Sequence, residues 1–84
     1  MDQPRVVSLD RLGPGAHGVL RHLGGGKDFA SRLAALGLSL GTEVEVLQNP
    51  GHGPMLVRMR GTRIALGRGE ALKIRVEELT HGRR

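Results

Sequence analysis

Four histidines, His17, His22, His52 and His81, are the residues best suited to hold a metal or move a proton near neutral pH. Two imidazoles share a zinc ion when they sit four apart on one helix face, and no pair here has that spacing. His17 and His22 are five apart, which on a strand sends them to opposite faces. His52 lies in a Gly/Pro turn and is expected to face solvent. Metal binding is thus expected only for an ion shared between molecules or completed by a carboxylate. Cysteine is absent, which removes thiolate metal sites and thiol nucleophiles. Ser8, Ser31 and Ser39 belong to no local signature that pairs a nucleophile with a histidine base. The stretch Gly24-Gly25-Gly26-Lys27 has part of a phosphate loop. It fails because Arg21 stands where the first glycine is needed, and Asp28 where Ser or Thr should hold the metal. The aspartate would repel a phosphate, so a flexible connection is expected. Glu43 and Glu45 read as the outer face of a strand opposite arginines, and Glu77 and Glu78 as the end of another. No catalytic residue, cofactor or metal ligand is assigned, and the chain reads as a non-enzyme.

The elements that position these residues are short. Fourteen glycines and four prolines punctuate the chain. Leu9 and Leu12 flank an entry turn and can plug a core. A strand is expected over Gly18–Leu23, broken by the three glycines. The spacing of Phe29, Leu33 and Leu36 predicts a helix over Asp28–Leu36, with all three on its buried face. Asp28 suits the N-cap and Gly37 the left-handed position after the helix, with Leu38 packing back on Leu33. Thr42–Leu47 and Met55–Arg60 alternate apolar and charged residues, and Arg63–Leu66 and Lys73–Val76 are shorter strands. Gly61-Thr62 suits a type II′ turn, pairing Arg60 with Arg63 and Val57 with Leu66. The loop from Asn49 to Pro54 pairs Val46 with Val57, Glu45 with Arg58 and Glu43 with Arg60. Five strands and one helix predict a mostly β fold, a small antiparallel barrel closed to hide both edges. One domain over residues 8–79 is expected, with 1–7 and 80–84 as flexible ends.

Composition narrows the function. With 84 residues, 38% of them apolar, the chain supports one thin core built on thirteen Leu and seven Val. The lack of cysteine favours a reducing compartment. No apolar run approaches the about 20 residues of a membrane span, and residues 1–16 lack the apolar stretch of a signal peptide. Thirteen Lys and Arg against eight Asp and Glu give a net charge of +5, but the cations form no block. Small barrels that bind nucleic acid stack bases on exposed aromatics, and Phe29 is the only aromatic ring of Phe, Tyr or Trp here. Nucleic acid is therefore not expected as a partner, although a nucleic-acid-binding barrel is the alternative reading.

Several segments in order carry a resemblance. Leu9, Leu12, Gly15, Gly18 and Val19 come first, then the run Arg32-Leu33-Ala34-Ala35-Leu36-Gly37-Leu38-Ser39-Leu40-Gly41-Thr42. The turn ending Gly53-Pro54-Met55 follows, then Ile64-Ala65-Leu66, Glu70-Ala71 and Ile74-Arg75-Val76. Together they resemble the FeoA family over about residues 8–79, most specifically at Leu36-Gly37-Leu38 and Gly41-Thr42. Leu40 stands where the family commonly has proline, and Gly53 where the turn commonly carries an acid. The resemblance implies an SH3-like β-barrel and a cytoplasmic, non-enzymatic accessory or regulatory role in ferrous-iron uptake. The implied partner is the cytoplasmic region of the FeoB transporter, which includes a GTPase domain and would recruit the chain to the inner face of the membrane. The same domain ends DtxR-type metal-dependent repressors, after a DNA-binding winged helix and metal-binding helices. Residues before Ser8 offer neither, so a free-standing accessory protein is expected, with a free-standing relative of that repressor C-terminal domain as a further alternative.

Two surfaces are candidates for partner contact. The first is the helix and its exit, with Arg32, Leu33, Ala35 and Leu40. Leu33 also belongs to the apolar stripe, and Leu40 is a large apolar residue in an exit turn. The second is the arginine face of Arg58, Arg60 and Arg63, where Arg60 opposite Arg63 would welcome an anionic partner. A weak homo-oligomer is left open.

Overall fold

The computed structural model describes residues 5–79. Six strands form one antiparallel sheet in the order β1-β6-β2-β3-β4-β5. They are β1 (Val6–Ser8), β2 (His17–Leu23), β3 (Glu43–Gln48), β4 (Met55–Met59), β5 (Thr62–Leu66) and β6 (Ile74–Leu79). A single 3-10 turn, Leu9–Arg11, follows β1. Helix α1 spans Gly26–Ala35, and a five-residue helix α2 spans Arg68–Leu72. The strand β1 lies partly in the segment expected to be a loose end. Its Val6 and Val7 pair with Glu77 and Val76 of β6, which runs three residues further than expected. The remaining flexible-end expectations, 1–4 and 80–84, fall outside the described residues.

The ladder does not close into a barrel. Among the described residues β1 pairs only with β6 and β5 only with β4. The core is Leu, Val and Ile with two methionines, the one Phe and Ala71: Leu20, Val46, Met55, Val57, Ile74 and Val76 are all fully buried. Leu9 and Leu12 are buried too, as the entry turn led us to expect.

The β3–β4 register is the expected one, with Glu45 opposite Arg58 and Val46 opposite Val57 before a bulge at Leu47. The β4–β5 hairpin is corrected. Its turn residues are Arg60 and Gly61, at φ 50° and 78°, the two positive values of a type I′ turn. Val57 therefore faces Ile64, and Arg58 faces Arg63. The shift is two residues, an even number, so the apolar faces still coincide.

The end of α1 is as read. Gly37, at φ 96°, donates its N–H to the Ala34 carbonyl, and Leu38 donates to the Leu33 carbonyl. These are the two bonds of a Schellman ending, and Leu38 is buried. Glycine suits position 37 for its φ, and a Cβ there would lie 2.5 Å from Cε of Met59, so the methionine end would have to move aside. The start of α1 is not as read. The cap is Gly25, at φ 84°, with no side-chain bond, and Asp28 sits inside the first turn. There its charge still favours the helix dipole, but it caps no N–H. Leu36 is corrected as well, since the cap residue rotates off the stripe and is 50% exposed.

The bulge in β2 corrects the histidine geometry. Leu20 faces Val76 while His22 faces Arg75, leaving Arg21 as the extra residue. One inserted residue reverses the alternation. His17 and His22 consequently share the outer face, opposite Leu79 and Arg75 of β6.

Candidate docking surfaces and family membership

The helix surface divides in two. At roughly 100° per residue, Ala30 and Ala34 lie on one flank of the buried Phe29 and Leu33, and Arg32 lies on the other. On the alanine flank, two small side chains leave a groove of about 360 Å3 against β2. Leu23, Leu38 and Leu40 line its walls, with His22 and Ser39 beside them. Leu40, 64% exposed, stands in the turn from Ser39 to Thr42, where the Thr42 N–H donates to the Ser39 carbonyl. On the other flank the Arg32 guanidinium donates to the Glu70 carboxylate. The other oxygen of Glu70 accepts the Gly67 N–H at 2.9 Å, closing the start of α2. Glu70 therefore caps one helix and tethers the other. Phe29 is flanked by Arg32 and Lys73, whose charged groups lie 6.0 and 5.2 Å from its ring centre.

Of the predicted helix residues, Ala35 and Leu40 are exposed and Arg32 is exposed but ion-paired. Leu33 is 1% exposed and is corrected to a core residue with no surface to offer. The groove walls Leu23, Ala30 and Ala34 were missed. Their signal was the pair of alanines on the helix flank, which only the docked sheet turns into a groove.

The arginine face also rearranges. Arg58 is directly opposite Arg63, and donates to Glu45 at 3.1 Å, which offsets that repulsion. Arg60 sits in the turn rather than on the strand. Glu43 does not meet Arg60 in register; it lies opposite Val19 of β2, and its carboxylate is 3.2 Å from Nδ1 of His17. His17, Glu43, Glu45, Arg58 and Arg60 together line an open cleft of about 370 Å3 of mixed charge. Among the described residues no group of three or more His, Asp or Glu side chains could hold a metal ion.

One network escaped the sequence reading entirely. The Asn49 amide donates to the carbonyls of Asp10 and Leu12, at 2.9 and 2.8 Å. Its oxygen accepts from Arg68, which also reaches the carbonyls of Gly53 and Asp10. This stitches the 3-10 turn, the β3–β4 loop and α2 into one assembly.

A model of the FeoA domain matches residues 7–78, nearly the whole fold just described. The chain belongs to the FeoA family. A curated relative of this FeoA chain, named "Putative Fe(2+) transport protein A" from Methanocaldococcus jannaschii, is 33% identical over 64 residues, covering 76% of this chain and 77% of the relative. The crystal structure of an iron uptake regulatory protein (FeoA) superposes with a TM-score of 0.85 at 33% identity, covering 89% of this chain and all of the other. The solution structure of the FeoA protein from Chlorobium tepidum gives 0.81 at 27%, covering 92% and 74%. A manganese-dependent transcriptional repressor shares the fold, with a TM-score of 0.81 at 22% identity, over 94% of this chain and 45% of its own. The FeoA fold here is thus the expected SH3-like one, with an open rather than a closed ladder.

Proposed function

We propose that this FeoA-family chain is a non-enzymatic accessory protein of ferrous-iron uptake that docks on the cytoplasmic region of a FeoB-type transporter. The reading rests on the family and on the curated relative named for Fe(2+) transport. One structural observation carries it furthest: a groove beside α1, lined by Leu23, Ala30, Ala34, Leu38 and Leu40, with Leu40 standing out of it. An exposed leucine continuous with an apolar groove makes the kind of apolar patch that marks a protein contact. No helix of the described residues is long and apolar enough to cross a membrane, so contact with the transporter is read as peripheral, on its cytoplasmic side.

Docking requires no chemistry from this chain. The groove takes an apolar side chain of the partner, and Arg32, held by Glu70, supplies a fixed charge on the opposite flank of the helix. The test is binding of the purified chain to the FeoB cytoplasmic region with GDP, a GTP analogue or no nucleotide. Leu40→Ala is expected to weaken binding about tenfold, as loss of a contact anchor does. Arg32→Glu reports whether the second flank takes part. Absence of binding in every nucleotide state overturns the proposal.

A further inference from the structure

We infer that a separate basic cleft, where β1, the 3-10 turn and the end of α2 meet, receives an acidic, extended peptide of a partner protein. The cleft has a volume of about 640 Å3 and is lined by three arginines, Arg5, Arg11 and Arg75, against one acid, Asp10. The side chains of Arg11 and Arg75 form no hydrogen bond or ion pair with any described residue. Arg5 is 76% exposed and only loosely paired, 3.6 Å from Glu78. Like charges gathered on one cleft favour an anion among them, most strongly a carboxylate that accepts two N–H groups of one guanidinium. Two apolar side chains, Val6 and Leu72, lie on the same cleft and are 46% and 61% exposed. The occupant therefore carries both acid and apolar groups.

Two further observations choose a peptide over a phosphate or a lipid headgroup. First, β1 is the end strand, and among the described residues no strand pairs with its outer edge. Such an edge offers main-chain groups to an added strand. Second, Val6 and Leu72 flank the arginines, and a phosphate has nothing to cover their apolar surface. A peptide paired along that edge covers them with apolar side chains while its carboxylates reach the arginines. This docking is independent of the α1 groove and of the identity of the transporter.

Fluorescence anisotropy of labelled decapeptides rich in glutamate and leucine, titrated with the full chain at low salt, tests the assignment. Binding is expected, falling as salt rises and lost when glutamine replaces every glutamate. Arg11→Glu and Arg75→Glu are each expected to weaken it about tenfold or more, the effect of losing a charge-assisted contact. Lys27→Glu makes the same change of charge on the exposed first turn of α1 and is expected to leave binding unchanged. Arg11→Gln and Arg75→Gln, checked for native amide dispersion by NMR, repeat the reading without charge reversal. The amide shifts on binding are expected at Val6–Ser8. The inference is overturned if no acidic peptide binds, if the glutamine peptides bind as well, or if Lys27→Glu weakens binding equally. It is also overturned if inorganic phosphate or phosphatidylserine vesicles, rather than the peptides, bind through Arg11 and Arg75.

Discussion

The β3–β4–β5 meander and the open side of the sheet are held by different physics. In the meander, Val46, Val57 and Ile64 alternate with Glu45, Arg58 and Arg63, and the buried faces meet across adjacent strands. Its connections are short, and its stability is apolar area removed from water. On the open side, β1, the 3-10 turn and α2 come from both ends of the chain. There Leu9, Leu12 and Ala71 are buried in the same core, and polar joints are added to them: Asn49 on the carbonyls of Asp10 and Leu12, Arg68 on Asn49, and Glu70 between Gly67 and Arg32. A periodic apolar pattern builds a sheet, whereas a few unrepeated side chains seal the side where the sheet fails to close.

The largest effect is expected from breaking the apolar region. Leu66→Ala removes a side chain that is 1% exposed on the last strand of the meander, and should lower unfolding free energy by about 2–5 kcal/mol in a denaturant titration. Gly37→Ala comes next. It forces a Cβ into φ 96° and against Met59, and a loss of about 1–3 kcal/mol is expected, less if the methionine end swings away. Asn49→Ala breaks the polar region instead. It leaves the Leu12 carbonyl without its donor and the Asp10 carbonyl with only the long Arg68 contact, at a cost of about 1–3 kcal/mol. Hydrogen exchange sharpens the contrast: faster exchange is expected around the 3-10 turn and α2, with β4 protected as before. Glu70→Gln should cost only about 0.5–1 kcal/mol, because it keeps an oxygen for the Gly67 N–H and loses a mostly exposed ion pair. The smallest effect is expected from Glu45→Gln, about 0–1 kcal/mol, since its pair with Arg58 is partly exposed.

The readable parts were those with a local cause. The alternation in Thr42–Leu47 and Met55–Arg60 placed two strands and their register. Gly37 and Leu38 marked the exact end of α1 because a left-handed glycine followed by an apolar residue has one mechanical use. The misread parts had two acceptable local solutions. Gly61 fits either a type II′ turn with Thr62 or a type I′ turn with Arg60, and the left-handed Arg60 is tolerated only because the strands on both sides hold it. Asp28 satisfies the rule for a cap, yet three preceding glycines let the helix begin earlier. The strand Val6–Ser8 is too short to announce itself and forms only because β6 extends to meet it.

The candidate surfaces were legible as residues and not as places. Arg32 and Leu40 were both singled out, but α1 sends them to opposite flanks once Phe29 and Leu33 face the core. Arg5, Arg11 and Arg75 are far apart in the chain, and nothing in their spacing brings them to one cleft. Asn49 reads as an ordinary turn residue, although its side chain joins segments 37 and 39 residues away.

By itself, the order of amino acids determined the antiparallel β character, the one substantial helix with its glycine stop, the core of leucine and valine, and membership of the FeoA family. The first three follow from periodicity and turn chemistry, which act between near neighbours; the family follows from the likeness of motifs in order. The tertiary structure alone decided that the ladder stays open, that a bulge at Arg21 turns His22 to the face of His17, and which arginines share a cleft. Those outcomes depend on contacts between distant segments, where a single inserted residue or one hydrogen bond selects among arrangements that local preferences leave nearly equal in energy.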